Sequence, residues 1–332
     1  MNIVFSHHGT VLPKYLYLNL QRTAKIFPEH KVWLITDSVS TSSCPKGINI
    51  LRSKPNFRTE EIEKLLEHPK DFRANFWLHA ITRFDSLNQA LLELKSPLIH
   101  FESDIIMSRD FPFESFSNIN KGIAFPVVSR ERGVASTIYF ADQSTAELLV
   151  ELSLSSVRNN PKTSDMLILR EFYDKHPDLT TILPIAPFHC PDYKMEMEPN
   201  LRTKIDTGAQ LFGGIIDGHD LGVYFFGTDP RNARGRMILN REVDLNLIHT
   251  SRWKLKYDSK RQFVNLLDSN GVETKVFSIH LTAKDPKGFK ENTLTKYFNS
   301  TISSTKEKEH QRLILNVFLK QAIAALKRRI FN

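Results

Sequence analysis

Cysteine is scarce in this chain, which has only Cys44 and Cys190 among its 332 residues. Two cysteines cannot form a disulfide framework or a cysteine-rich zinc site, so we expect a protein of a reducing compartment. No apolar run approaches the ~18 residues that a membrane-spanning helix needs. The first residues lack a basic region followed by a long apolar stretch, so no signal peptide is predicted. We therefore expect a cytoplasmic protein, either soluble or attached peripherally to the inner face of a membrane.

Net positive charge is also scarce over most of the chain, although the whole chain carries +8. Residues 306–332 hold seven basic and two acidic residues, so +5 of the total lies in this tail. The remainder is close to neutral and has no interleaved aromatic and basic residues on which nucleobases would stack. We therefore expect no nucleic-acid partner for the body of the chain.

Strand-like and helix-like segments alternate along the first half of the sequence. Strands are predicted at 2–6, 31–36, 48–52, 98–102 and 122–128, and helices at 15–26 and 74–94. Repeated strand–helix–strand units predict an α/β fold, with a mostly parallel sheet flanked by helices. In such sheets ligands bind outside the carboxyl ends of the strands, where residues 6–9 and 102–104 are expected.

The second half is less regular. Strands are predicted at 136–140, 181–185 and 276–281, and helices at 144–152 and 166–172. We expect a catalytic domain over 1–291, divided at about residue 130 into a donor half and an acceptor half. The polar residues 292–308 are predicted to form a linker, and 309–332 a basic amphipathic C-terminal helix.

Two carboxylates, Glu102 and Asp104, follow the apolar run 98–101. Residues i and i+2 of an extended backbone point to the same side, so two like charges would lie ~6–7 Å apart and repel each other. A shared divalent cation removes that repulsion, and hard oxygen ligands suit Mg²⁺ or Mn²⁺. Taken alone, however, the pair is explained more simply as a solvated corner at the end of a strand.

Several segments together resemble the nucleotide-sugar core of GT-A type glycosyltransferases, including bacterial members. These segments are residues 76–77, 83–84, 98–105, 164–166, 217–235 and 279–284. Residues 102–104 are similar to the DxD motif, with Glu102 in place of the first aspartate. The resemblance implies the GT-A fold and transfer of a sugar, in polysaccharide biosynthesis, from a nucleotide-diphosphate donor to a hydroxyl of a glycan or glycolipid. It also implies a Mn²⁺ or Mg²⁺ cofactor.

The same resemblance implies roles for individual residues. The implied metal ligands are Glu102, Asp104 and His280. A metal-bound imidazole must be neutral, and it favours Mn²⁺ over Mg²⁺. Lys284 and Arg83 are implied contacts of the donor phosphates. Simpler alternatives stay open, because Lys284 also fits a solvated surface position and Arg83 also fits a structural pair with Asp85 or Asp104.

Residues near other predicted strand ends are further candidates. Those for the nucleoside part of the donor are Ser6, His7 and Asp37. Candidates for the catalytic carboxylate are Asp217, Asp229 and Asp165, since an inverting transferase needs a general base at the acceptor hydroxyl and a retaining one a group that stabilises the oxocarbenium-like centre. A turn explains Asp229, which precedes Pro230, and a helix cap explains Asp165.

Two other functions compete with sugar transfer. A nucleotidyltransferase that makes nucleotide sugars usually has a Gly-rich, basic loop after its first strand, but residues 6–14 contain one glycine and one lysine. A non-catalytic protein that binds membranes or nucleic acid would use the basic tail. The tail helix either packs on its own domain or lies on an anionic membrane surface.

Overall fold

The structure is a computed structural model that describes residues 1–39, 41–70, 75–195, 197–227 and 247–304. Its strands are β1 (Asn2–His7), β2 (Lys31–Thr36), β3 (Ile48–Arg52), β4 (Leu98–Phe101), β5 (Ile105–Met107), β6 (Ile123–Phe125), β7 (Val127–Ser129), β8 (Arg132–Gly133), β9 (Thr137–Phe140), β10 (Thr180–Ile182), β11 (Ile215–Ile216), β12 (Lys254–Asp258), β13 (Phe263–Leu267) and β14 (Glu273–His280). Its α-helices are α1 (Lys14–Ile26), α2 (Phe57–Leu65), α3 (Phe76–Leu94), α4 (Gln143–Asn159), α5 (Asp165–Lys175), α6 (Pro199–Phe212), α7 (Asp220–Phe226) and α8 (Glu291–Ser304).

The main sheet has seven strands in the order β10-β6-β9-β4-β1-β2-β3. Strand β1 pairs in parallel with β2 and β4, β2 with β3, and β6 with β10. Strand β9 runs antiparallel to its neighbours β4 and β6. The predicted α/β class, with a central and mostly parallel sheet flanked by helices, is confirmed.

Both faces of this sheet are buried, as its apolar strands require. On β1, Ile3 and Phe5 belong to the same apolar cluster as Leu16 of α1. The intervening Val4 belongs to the cluster on the other face, with Phe84 of α3. Successive side chains alternate across a strand, so a strand covered on both faces is apolar throughout. Each of these fully buried side chains contributes roughly 1.5–3 kcal/mol.

A second sheet contains β11-β14-β13-β12, and β5 pairs with β14. The β5–β14 pair is antiparallel, with Ile105 opposite His280 and Met107 opposite Ser278. One residue beyond the ladder, the Leu281 N–H donates to the Asp104 carbonyl at 2.8 Å. This pairing joins the segment after β4 to a strand near the end of the described chain, and it determines where the candidate site forms.

The predicted linker at 292–308 is wrong where the structure describes it, because Glu291–Ser304 is the helix α8. Its Leu294 and Phe298, four residues apart on one face, are buried, and the Phe298 ring lies edge-on to Phe263 of β13. Burial of this short apolar stripe stabilises a helix in an otherwise polar segment. The tail 309–332 lies outside the described residues. Among the described helices, none is long and apolar enough to cross a membrane.

Candidate metal and donor site

The ends of three parallel strands meet at one edge of the main sheet. Phe5 of β1 lies beside Phe101 of β4, and His7 lies beside Thr36 of β2. Residues 6–9, 37 and 102–104, which end or follow these strands, therefore share that edge. The Ser6 Oγ is 3.1 Å from the Nε2 of His100, which ties β1 to β4 just below the edge.

The carboxylates Glu102 and Asp104 lie on a turn and not on an extended strand. Strand β4 ends at Phe101, and the Ile105 N–H donates back to the Glu102 carbonyl at 3.0 Å. The Glu102 N–H donates to the Ser136 carbonyl at 2.9 Å, which fixes the start of the turn. The predicted extended backbone at Glu102 and Asp104 is wrong, but both carboxylates still face one partner, the His280 imidazole.

Strand β14 brings His280 to this turn through its pairing with β5. The His280 Nε2 lies 3.2 Å from an Asp104 oxygen and 3.5 Å from a Glu102 oxygen. One ligand atom from each of the three residues falls within 4.8 Å of the others. The His280 Nδ1 is 3.2 Å from the Gly218 carbonyl, to which it donates when it carries a proton. That hydrogen bond directs Nε2 at the carboxylates, as in histidines that bind metals.

The electrostatics of this cluster favour a cation between the carboxylates. Burial opposes a charged imidazole, but the negative charge of Asp104 and the hydrogen bond to it raise the pKa of His280 to about 9. Burial likewise opposes a charged Asp104, yet the positive charges of His280 and Lys284 lower the pKa of this carboxyl. Without a metal a proton thus supplies the positive charge. Two carboxylates and an oriented imidazole also fit Mn²⁺, or Mg²⁺ less well.

Lys284 adds a second positive charge to the cluster. Its Nζ lies 3.3 Å from the second Asp104 oxygen and 5.3 Å from the centre of the Tyr15 ring. The residue adopts a left-handed backbone conformation, with φ of 54°, in the turn after β14. The Lys284 side chain is only 19% exposed, so the alternative of a solvated surface lysine does not fit, and its contact with the donor phosphates stays a prediction.

Arg83 occupies a buried bridge between two carboxylates. One guanidinium nitrogen donates to Glu102 and another to Asp165, each at 2.7 Å. Burial disfavours the charged guanidinium, but Glu102 and Asp165 raise the pKa of Arg83 overall. Burial raises the pKa of Asp165 despite the charge of Arg83. These contacts match the structural alternative for Arg83, although its partners are neither Asp85 nor Asp104.

Asp165 is the first residue of α5, and the helix is capped by the preceding Ser164, so the prediction that Asp165 is itself the cap is wrong. The Ser164 Oγ accepts from the Leu167 N–H at 3.4 Å. The predicted catalytic role of Asp165 stays a prediction, since its carboxylate faces Arg83 in the structure. Asp229, the candidate with the turn alternative, lies outside the described residues.

The Asp217 carboxylate holds the backbone of His280 and of α7. One of its oxygens accepts from the Leu221 N–H at 3.1 Å, and the other from the N–H groups of Gly222 and His280 at 2.9 and 3.0 Å. Burial raises the pKa of Asp217 in spite of these donors. The carboxylate is occupied by backbone groups, so its contacts indicate a residue that positions His280. They do not favour the general base suggested by the sequence.

Gly222 was missed by the sequence analysis. A Cβ built on this glycine would lie 1.7 Å from the His280 carbonyl oxygen, so no larger residue fits without moving α7 away from β14. The sequence carries a weak signal for it, because a glycine inside a short helical segment is unfavourable and indicates close packing. Tyr15 and Asn19 of α1, which contact the turn, were also missed.

The predicted nucleoside contacts surround the loop after β1. The His7 Nε2 lies 3.0 Å from the Val11 carbonyl, and Asp37 accepts from the Gly9 N–H at 3.0 Å. Asp37 therefore holds the backbone of the loop after β1 in this structure. His8 stacks on His79 with ring centroids 4.5 Å apart. Burial and the neighbouring His79 lower the pKa of His8 to about 4, so this stacked imidazole is neutral at pH 7.

No family model and no curated protein matches this sequence. Among solved structures, the galactosyltransferase LgtC in complex with donor and acceptor sugar analogues is similar at 9% identity and a TM-score of 0.45, over 62% of this chain and 83% of that one. Mouse xyloside xylosyltransferase 1 is similar at 9% identity and 0.36, over 55% and 85%. A glycosyltransferase involved in glycosylation of the major capsid of PBCV-1 gives 12% and 0.32, over 55% and 80%. These similarities assign no activity, substrate or cofactor to this chain.

Proposed function

We propose that this protein is a metal-dependent glycosyltransferase, which moves a sugar from a nucleotide-diphosphate donor to a hydroxyl of a glycan or glycolipid. One observation carries the proposal. Glu102, Asp104 and His280 converge at the carboxyl edge of a mostly parallel sheet, with Lys284 on the same carboxylate. An α/β sheet binds ligands at this edge, and the donor set suits Mn²⁺.

The chain's own groups suit the departure of a diphosphate. When bound, the metal would neutralise negative charge on the leaving diphosphate. Asp104 and Glu102 would hold it through oxygen, and His280 through Nε2 once the imidazole has lost its proton. Lys284 lies on Asp104 in the structure, and its ammonium group would turn to a phosphate oxygen when the cation takes that carboxylate. Such preorganised positive charge lowers the barrier to leaving-group departure.

The surrounding residues receive two kinds of role in this proposal. Ser6, His7 and Asp37, at the ends of β1 and β2, would contact the nucleoside of the donor. Arg83 and Asp217 would position the metal ligands without contacting substrate, because their polar groups already hold Glu102 and the His280 backbone. For the catalytic carboxylate, Asp165 and Asp229 remain the candidates, and the Arg83 contact of Asp165 makes it a group that a substrate would have to displace.

The acceptor side carries a separate proposal. The basic segment 309–332 would bind an anionic membrane surface and bring the enzyme to a glycolipid acceptor, at ~1 kcal/mol per basic residue. Deletion of 309–332 should release the protein from vesicles that contain anionic lipid, while binding to neutral vesicles stays negligible in both forms. If the truncated protein still binds the anionic vesicles, this part of the proposal fails.

A thermal-shift screen tests the proposed transferase function. UDP, GDP, CMP and dTDP sugars are added with and without Mn²⁺, and one nucleotide class should raise the melting temperature only when Mn²⁺ is present. Chelation by EDTA should abolish that shift and also the transfer or hydrolysis of the same donor. A chain that binds no nucleotide sugar in either condition is not the proposed transferase.

Asp104→Asn is the variant that ties the function to the site. It should lose the metal-dependent shift and the turnover, because a neutral amide is a poor ligand for a hard cation. The matched control is Asp110→Asn, which also removes an ion-paired carboxylate, here one held by Arg261 at 2.8 Å. The control should keep both the shift and the turnover. Full activity of Asp104→Asn would refute the proposed metal site.

A further inference from the structure

One face of α1 holds the backbone that carries Asp104. The Tyr15 OH lies 3.3 Å from the Ser103 Oγ. Asn19, four residues on and fully buried, donates from Nδ2 to the carbonyls of Ser103 and Ile105 at 3.1 and 2.6 Å. Arg22, a further turn on, donates to the Met107 carbonyl at 2.8 Å. These contacts lie on one helical stripe and follow alternate residues of the chain opposite.

Successive carbonyl groups of this segment point in opposite directions, and this makes Asn19 the α1 residue that fixes the backbone around Asp104 most directly. The carbonyls of Ser103 and Ile105, on either side of Asp104, both point to the Asn19 amide. The carbonyl of Asp104 itself points the other way and accepts from the Leu281 N–H. The peptide groups around Asp104 are thus fixed from two sides, by a side chain of α1 and by the residue that follows His280.

We infer that Asn19 is a positioning residue, which sets the direction of the Asp104 carboxylate toward His280 and thereby the affinity of the site for a divalent cation. The inference rests on the proposed metal site. Both donor hydrogens of the Asn19 amide are used on the carbonyls that flank Asp104, so no aliphatic residue can replace the contact. Without it, the turn can rotate and Asp104 loses its alignment with the Nε2 of His280.

Titration of the purified chain with Mn²⁺ alone, followed by the EPR signal of free Mn²⁺, tests this inference. Asn19→Leu should raise the dissociation constant for Mn²⁺ by about 10–100-fold, as loss of a residue that orients a metal ligand typically does. The matched control is Asn88→Leu, which removes another buried asparagine amide that donates to Glu147 at 2.6 Å, away from the site. That variant should bind Mn²⁺ like the wild type, although it also loses stability.

The outcomes separate this inference from the proposed function. Wild-type affinity in a folded Asn19→Leu variant overturns the positioning role and leaves the metal site intact. An equal loss of affinity in Asn88→Leu also overturns it, because the effect then follows general destabilisation. If Asn19→Leu does not fold, Asn19→Ala is titrated in the same way with the same expectation. A wild type that binds no Mn²⁺ refutes the metal site and the positioning role together.

Discussion

Replacement of Arg83 by Met should destabilise the protein strongly. The guanidinium makes two ion pairs of 2.7 Å, to Glu102 and Asp165, and the side chains of Arg83 and Asp165 are each only 9% exposed. Its removal leaves the Asp165 carboxylate buried without its cation, which typically costs about 3–5 kcal/mol. Urea unfolding of the metal-free protein, followed by circular dichroism, measures the loss. The pKa of Asp165 is already raised by burial and should rise further.

A second substitution distinguishes the buried pair from a general packing effect. Asp165→Asn in the Arg83→Met background removes the unpaired charge and should restore part of the lost stability, so the two changes should be clearly non-additive. Arg158→Met is the control, because Arg158 pairs with Glu61 at 2.7 Å but is 54% exposed. Such a pair contributes about 0–1 kcal/mol. If Arg83→Met instead keeps its stability and loses only affinity for the donor, Arg83 contacts the donor phosphates and its ion pairs with Glu102 and Asp165 do not stabilise the fold.

Two further substitutions probe the support of His280 and the stacked histidines. Gly222→Ala should lower the free energy of unfolding by about 1–3 kcal/mol and weaken Mn²⁺ binding about 10–100-fold, because the new Cβ would lie 1.7 Å from the His280 carbonyl oxygen. An EPR titration and a urea unfolding curve identical to those of the wild type would contradict this. His8 has a folded pKa of about 4, below its ordinary 6.5, so the native state resists protonation and loses stability as pH falls from 6.5 to 4. Wild type should lose up to about 3 kcal/mol more than His8→Gln over that interval in urea titrations, and equal slopes would argue against the buried neutral imidazole.

Local periodicity was sufficient for most elements of the first half. The predicted helix at 74–94 is observed as Phe76–Leu94, and the strand at 48–52 as Ile48–Arg52. The segment 292–308 was wrongly predicted to be a linker because it is mostly polar, although two of its apolar residues anchor α8 in the core. The antiparallel direction of β9 was also not predictable, since a strand's sequence does not record which neighbours it will pair with.

The candidate site, like the fold, could be predicted only in part from the sequence. Glu102, Asp104, His280 and Lys284 were predicted to come together from a resemblance that supplied long-range information, and they do. The residue roles that the structure does not support depend on which donor group is hydrogen-bonded to each carboxylate oxygen. Asp217, predicted at the reacting centre, accepts from backbone N–H groups of α7, which follows it closely in sequence, and of His280 in β14, which is 63 residues away. No spacing rule encodes such a set of partners, because it forms only when α7 packs on β14.

The charges of the site indicate why a metal alone should bind less well than a metal with a diphosphate. With a protonated imidazole, the cluster contains four carboxylates and three cations; these are Glu102, Asp104, Asp165, Asp217, Arg83, His280 and Lys284. A divalent ion must displace the proton from His280, so it replaces one positive charge with two and raises the net charge of the cluster by one. The proton on His280 therefore competes with the metal, whereas an anionic diphosphate beside the metal attracts it directly. Binding of Mn²⁺ and nucleotide should therefore be mutually favourable, each tightening the other by the same factor.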